Sequence, residues 1–440
     1  MATNKGTENS TPSAPAPADN DIAMLTEVTE QDLAEAIIDE YGAKYSKDGK
    51  RLLKGPRYAS LYDIKKGTEI IGNYAFSLCS SLTSITIPPS VTTIGGWAFN
   101  GCKSLVSITI PPSVRTMEGN PFRYWYGHIE IDSPYFRYED EALIDVNKAI
   151  LVAFRSKAKS YTIPPSVTSI GNNAFRGCSS LTSITIPPSV TTIGDHAFSE
   201  CYKLTSITIP PSVTTIGDKA FSECYNLTSV TIPPSVTAIG EETFSWCRSL
   251  ISIAIPPSVN TIGEETFYWC RSLISIVIPP SVTAIGKRAF KECRSLTSIT
   301  IPPSVTIIGS EAFSRCYSLT SITIPLNVRT MEGNPFAGWN GHIKIDSPYF
   351  KYEDGVLIDV EKGILVAFRS KAKSYTIPPS VTAIGDSAFY SSSLASITIP
   401  PSVTTIGDHA FSWCSSLTSI TIPPSVTTIG DHAFSECYKL

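Results

Sequence analysis

The chain has 440 residues, 17% of them charged, with a formal net charge of −4 and a pI near 5.8. That balance offers no basic face for a nucleic-acid backbone, and no apolar run approaches the ~20 residues of a membrane-spanning helix. The eleven cysteines are an odd number, which argues against a closed disulfide framework.

Residues 1–25 are rich in Ser, Thr, Ala, Pro and Asn and read as a disordered tail. The opening stretch MATNKGTENSTPSAPAPADND has no apolar core and is not a secretory signal. Thr29-Glu30-Gln31-Asp32 then opens a helix, with Thr29 as N-cap and Asp32 near the positive end. Leu33, Ile37 and Tyr41 make one apolar stripe and Gly42 suits the C-terminal cap, which predicts a helix over 29–41. Residues 45–60 read as a hairpin turning at Asp48-Gly49. Together, 26–60 form a helix-and-hairpin cap on the array that begins at 61.

From 61 to 440 the chain repeats. Leu204–Glu223, LTSITIPPSVTTIGDKAFSE, closed by Cys224, recurs with small changes every 23 residues, and a degenerate copy at Ile64 brings the count to 14 coils. A period in the twenties means a solenoid, in which each unit buries its apolar face only against its neighbours. Ile207 and Ile209 alternate with Ser206 and Thr208, a short β-branched strand ended by Pro210-Pro211. Val213 and Ile216 form a second inward pair, and Gly217 turns the chain. Asp218 is positioned to N-cap a short helical or 3₁₀ turn carrying Ala220, Phe221 and Cys224. The expected architecture is an α/β repeat solenoid: one parallel sheet on one side, short helical turns on the other.

This pattern resembles the BspA-like family of leucine-rich repeats. The motif L-x-x-I-x-I-P-x-x-V-x-x-I-G-x-x-A-F-x-x-C is matched almost letter for letter from Leu181 to Cys201 and again from Leu204 to Cys224. The resemblance covers about 61–440. It implies a right-handed leucine-rich-repeat solenoid, and a surface protein of the kind that binds host matrix proteins or other cells. A cytoplasmic interaction scaffold with no host ligand is the alternative, because the N-terminus carries no secretory signal.

Two stretches break the period. RTMEGNPF at Arg115 and at Arg329 each introduce 30 extra residues, over about 117–160 and 331–374. LIDV and ILVAF at Leu143 and Ile150, and at Leu357 and Ile364, read as β-hairpins, also frequent in the BspA-like family, that project from an edge of the array. The basic RSKAKS at 155–160 and 369–374 reads as a solvated return loop, or less simply as an anion site. The segment around 391–396 is one residue short and lacks the cysteine, so an irregular coil is expected there. The chain stops at Leu440, the first residue of a repeat. The last coil therefore presents an apolar end, to be continued by further sequence or by end-to-end self-association.

Catalysis needs unlike groups gathered at one place, and here most polar residues copy their neighbours. His196, His409 and His432 share one repeat position, and His128 and His342 one position of the insertion. No nucleophile elbow, zinc-protease helix, P-loop or dinucleotide fingerprint occurs, and the cysteines lack ligand spacing. No catalytic, cofactor or metal site is expected, and the thiols read as a buried ladder. Two faces are candidates for binding proteins or glycans. The first is the sheet face, with hydroxyl rows through Ser183 and Thr185, Ser206 and Thr208, and Ser298 and Thr300, interrupted by Ala254 and Val277. The second is the variable edge about the cysteines, where Trp246 is set to stack on Trp269 with Tyr268, Arg248, Arg271 and Arg294 alongside. The plainer readings are solvated β-formers for the first, and a stacking cover of the coil edges for the second.

Overall fold

A computed structural model describes residues 24–440, so the expected tail at 1–25 falls almost wholly outside the described residues. The chain divides into two compact units, residues 1–135 and 136–440.

Both units are built from the repeat. In the copy from Leu204, all eight predicted inward side chains (Leu204, Ile207, Ile209, Val213, Ile216, Ala220, Phe221 and Cys224) are at most 4% exposed. Ser206–Thr208 pairs in parallel with Ser229–Thr231, 23 residues on, with serine on serine and threonine on threonine. Burying one side of each strand fixes this register, because a one-residue slip would turn every isoleucine to water.

Each coil holds two parallel strands rather than one. Thr215–Ile216 pairs with Thr192–Ile193 on one side and with Ala238–Ile239 on the other, a second sheet in addition to the one expected. A strand of two residues carries no periodicity, so nothing in the sequence announces it.

The expected helical turns are also absent. Residues after Gly217 form consecutive turns, broken by left-handed backbone at Lys219 (φ 55°) and Glu223 (φ 61°). Alternating hand makes alternate N–H groups point in different directions. Cys224 N donates back to Phe221 O at 3.2 Å, whereas Phe221 N donates to Thr243 O of the next coil at 2.9 Å. Asp218 is accordingly not a helix cap. Its Oδ1 accepts from the backbone N–H of Glu241 at 2.8 Å, one coil on, and Asp195 does the same for Asp218 at 3.0 Å. Gly217 is needed for close approach rather than for a turn: a Cβ there would lie 2.7 Å from Asp195 N and 2.8 Å from Gly194 C.

Three further ladders tie coil to coil. Ser212 Oγ donates to Val190 O at 2.6 Å, and its equivalents repeat this. Cys224 Sγ donates to Phe198 O at 3.2 Å. The phenylalanines stack in a column through Phe198, Phe221, Phe244, Phe267, Phe290 and Phe313, with centroids 5.4–5.7 Å apart and planes within 10°. No disulfide joins any of the eleven cysteines, and burial pushes the Cys224 thiol up to about 12.

In the first unit the helix runs only over Glu30–Ala34, with Thr29 and Asp32 in a reciprocal capping box. The predicted continuation to residue 41 gives way to a strand, Ile37–Ile38, antiparallel to Lys44–Tyr45, with Gly42 at φ 84° in the turn between them. Two β-branched residues in succession favour strand here, and Asp39 Oδ1 secures the turn by accepting from Tyr41 N and Ala43 N. Lys44–Tyr45 pairs in turn with Arg51–Lys54, whose Arg51–Leu52 runs parallel to Ile70–Ile71 and so begins the second sheet. The buried hydroxyls of Tyr45 and Tyr62 lie 2.5 Å apart, and Tyr62 donates to Asp39 at 2.7 Å.

In the second unit the insertion beginning at Arg329 repeats that plan: the expected hairpin of Val356–Asp359 and Ile364–Phe368 forms, but it joins the array rather than projecting from it. His342–Ile345 lies parallel to Ser321–Ile324 as an ordinary coil strand would. Phe350–Glu353, Val356–Asp359 and Ile364–Phe368 then form an antiparallel meander whose last strand runs parallel to Ala383–Ile384. The insertion thus closes one run of coils and starts another, and the core divides at this point into two clusters. Asn334 spans the join, its N–H donating to Asp386 O at 3.0 Å and its Nδ2 to Ser387 O at 2.9 Å.

Candidate functional site

The edge about the cysteines is a column of paired side chains. The residue before each cysteine has left-handed backbone: Glu223, Trp246, Trp269 and Glu292 have φ of 61°, 63°, 60° and 65°. This throws its side chain back beside the residue that follows the cysteine. In four coils among the described residues, those of Cys201, Cys224, Cys293 and Cys437, the pair is bonded through a carboxylate. Tyr225 donates to Glu223 at 2.5 Å, and Arg294 and Arg315 both donate to Glu292, at 2.7 and 2.9 Å. Glu292 is 1% exposed, and despite burial these two guanidiniums hold its pKa below the ordinary value.

Two adjacent coils depart from that pattern. Trp246 stacks on Trp269 with centroids 4.1 Å apart and planes at 20°, and Tyr268 meets both rings edge-on. Arg271 lies 3.8 Å from the Trp269 ring, Arg248 4.8 Å from Trp246, and Arg294 6.0 Å from Trp269. The predicted six residues are therefore brought together. Both tryptophans are half-buried. Arg248 and Arg271 form no ion pair among the described residues, and their charges rest against the indoles.

The same coils differ on the sheet face. Ile251 and Ile274 replace the threonine found at Thr205 and Thr228, and are 47% and 48% exposed. Ala254 opposes Val277 in register, and Val277 is 76% exposed. An aliphatic patch thus interrupts a hydroxyl surface in the two coils that carry the stacked tryptophans. In the sequence Ala254 and Val277 stand out only as gaps. Ile251 and Ile274 are not distinguished there from the inward isoleucines of the same coils.

Elsewhere the predicted rows are exposed and in register, at Ser183, Thr185, Ser206, Thr208, Ser298 and Thr300. None of these six hydroxyls is bonded among the described residues, so both hydrogen-bonding capacities face solvent. A third row beside them is spent internally: Thr205 Oγ1 donates to Thr182 O at 3.3 Å and Thr228 Oγ1 to Thr205 O at 3.0 Å.

His196 is half-buried between Arg176 and Lys219. Burial, then those two cations, pull its pKa down to about 4. His409 stacks on His432 at 5.2 Å. Among the described residues no three His, Cys, Asp or Glu side chains converge as a metal site would require, and no helix is long and apolar enough to cross a membrane.

Among solved structures, a leucine-rich repeat protein from Bacteroides ovatus is 25% identical, with 92% of this chain and 90% of that one covered and a TM-score of 0.44. A leucine rich cell surface protein from Faecalibacterium prausnitzii is 29% identical over 70% of this chain and 88% of that one, with a TM-score of 0.43. The leucine-rich repeat protein of T. pallidum is 31% identical over 42% and 88%, with a TM-score of 0.39. No curated protein matches. The BspA type leucine rich repeat region matches in six copies, over residues 59–137, 153–270, 237–349 and 366–440. With most of its length matched, the chain belongs to the BspA-type leucine-rich repeat family.

Proposed function

We propose that this protein is a non-enzymatic, adhesin-like binding scaffold for proteins or glycans of a host or cell surface, and that protein partners dock on the edge formed by the coils from Phe244 to Ile278. The observation that carries this reading is the clustering of departures from the repeat. Trp246, Arg248, Ile251 and Ala254 in one coil stack on Trp269, Arg271, Ile274 and Val277 in the next. Here they assemble aromatic, guanidinium and aliphatic groups, the composition of protein-binding hot spots. The unbonded hydroxyl rows support a second, glycan-facing reading of the sheet.

The test is binding of the purified chain to a panel of matrix proteins and glycans at physiological salt, beside two variants. Trp246→Ala/Trp269→Ala removes the stack, and Val277→Glu places a charge on a side chain too exposed to affect folding. Loss of protein binding in both variants supports the edge. Binding retained by both would refer recognition to the hydroxyl face, and absence of any binding would overturn the scaffold reading.

A further inference from the structure

We propose a second binding site, for an acidic saccharide, in the cleft where the second insertion meets the shortened coil at Tyr390–Leu394. It does not depend on the tryptophan edge.

The phenylalanine column stops here. Phe336 packs on Trp339 at 5.4 Å, and stacking resumes only with Phe368 on Phe389 at 5.1 Å. Beside the break sits the Arg369 guanidinium, 4.7 Å from the Trp339 ring. It is the first residue of the loop expected from sequence to be solvated, yet it is half-buried. All its partners are neutral: Nε and Nη2 donate to Trp339 O at 3.3 and 3.0 Å, Nη2 to Gly341 O at 2.7 Å, and Nη1 to the Tyr352 hydroxyl at 3.1 Å. A cation drawn partly out of water is ordinarily paired with an acid; none of the hydrogen bonds of this one goes to an acid. Burial pulls its pKa below the ordinary value, and an arriving anion would reverse that.

Next to Arg369 opens a cleft of about 320 Å³, at the lower end of small-molecule sites. Its far wall is the irregular coil. Ser392 stands where other coils have cysteine, and one residue instead of two separates it from the leucine. Shortening withdraws the side chain that elsewhere covers this edge, and leaves room. No lining residue is acidic. Arg315, which also lines the cleft, is paired with Glu292, an acid it shares with Arg294. Lys371 is exposed and forms no ion pair among the described residues, and Lys373 reaches across to Ser393 O at 3.3 Å. The hydroxyls of Ser391 and Ser393 are unbonded among the described residues, and Tyr390 OH accepts from Arg315 and keeps its own proton to donate.

An uncompensated positive charge within a hydroxyl-lined, weakly apolar cleft suits a ligand with one acid group and many hydroxyls. A sugar acid or a sulfated sugar meets both demands. The acid would lie against Arg369 and Lys371, and the ring hydroxyls against the serines.

The test is calorimetric titration of the full chain, at near-physiological salt, with a uronic-acid disaccharide, a sulfated disaccharide, their neutral counterpart and sodium sulfate. Lys371→Glu is the principal variant and Lys203→Glu, on an exposed position remote from the cleft, the charge-matched control. We expect one acidic disaccharide to saturate about tenfold more tightly than the neutral sugar. That binding should fall about tenfold in Lys371→Glu and persist in Lys203→Glu, with thermal stability unchanged. Which acid binds separates carboxylate from sulfate recognition. Failure of both acidic sugars to saturate, equal binding by Lys371→Glu, or sulfate ion binding as tightly as the sugar would each overturn the proposal.

Discussion

Gly240 and Gly263 occupy one repeat position in the same local sequence, Ile-Gly-Glu-Glu, yet alanine is expected to act oppositely at the two. A Cβ on Gly240 would sit 2.5 Å from Asp218 N and 2.6 Å from Gly217 C, whereas ordinary contact begins near 3.4 Å. The obstacles are backbone, so the coils must part by close to an ångström. That strains the bonds from Gly240 N to Ile216 O and from Glu241 N to Asp218 Oδ1. Overpacking of this kind costs about 1–3 kcal/mol, and a weakened buried hydrogen bond about 1 more. The stiffer unfolded chain returns ~0.4–1 kcal/mol, leaving a net loss of roughly 1–3.5 kcal/mol. At Gly263 the nearest atoms are Thr266 Oγ1 at 3.4 Å and Glu241 Cα at 3.6 Å, which is ordinary contact. The reason is a seam: Thr261–Ile262 begins a new run of the second sheet and does not pair with Ala238–Ile239. Only the unfolded-chain effect remains, so Gly263→Ala should stabilise by ~0.4–1 kcal/mol. Urea denaturation followed by tryptophan fluorescence reads both, since Trp246 and Trp269 lie in these coils. If Gly240→Ala is as stable as the parent, or both variants shift alike, the inter-coil contact argument is wrong.

Phe244→Ala removes a ring stacked on Phe221 and Phe267, at 5.6 and 5.7 Å. A loss of about 3–5 kcal/mol is expected, and because coils couple only to neighbours, calorimetry should show one transition splitting into two. His196 is held neutral, its pKa moved from 6.5 down to about 4. The unfolded chain therefore binds the extra proton first, and stability should decline as pH falls from 6.5 towards 4 and be constant above. The full shift corresponds to roughly 3 kcal/mol, which partial exposure cuts to about 1–2. His196→Gln should flatten that part of the stability profile, and an unchanged slope would show the imidazole to be solvated. The thiols from Cys201 to Cys316 are fully buried, with pKa values raised by burial. They should resist an aromatic disulfide reagent at pH 8 until denaturant is added, and rapid labelling of any of them in the native protein would contradict the ladder.

Much of this protein is legible from the repeat alone. The 23-residue period, the alternation at Ile207 and Ile209, and the positions of Phe221 and Cys224 determine the solenoid, its core and its register, because a coil has only neighbouring coils to pack against. The stacking of Trp246 on Trp269 comes from the same arithmetic. Tertiary structure decided what depends on backbone between coils. The second sheet rests on strands of two residues, too short to show a period. The role of Asp218 as a bridge to the next coil, rather than a cap within its own, stems from alternating backbone hand that no residue type announces. The insertions look like projecting hairpins because the run around Leu357 and Ile364 has hairpin spacing. They instead restart the array, since the last strand of each meander finds a parallel partner 19 residues on, at Ser169–Ile170 and at Ala383–Ile384. Arg369 reads as solvated in the sequence because its neighbours Lys371 and Lys373 are. Only the packing of Trp339 against the broken phenylalanine column draws that guanidinium partly out of water, onto neutral partners.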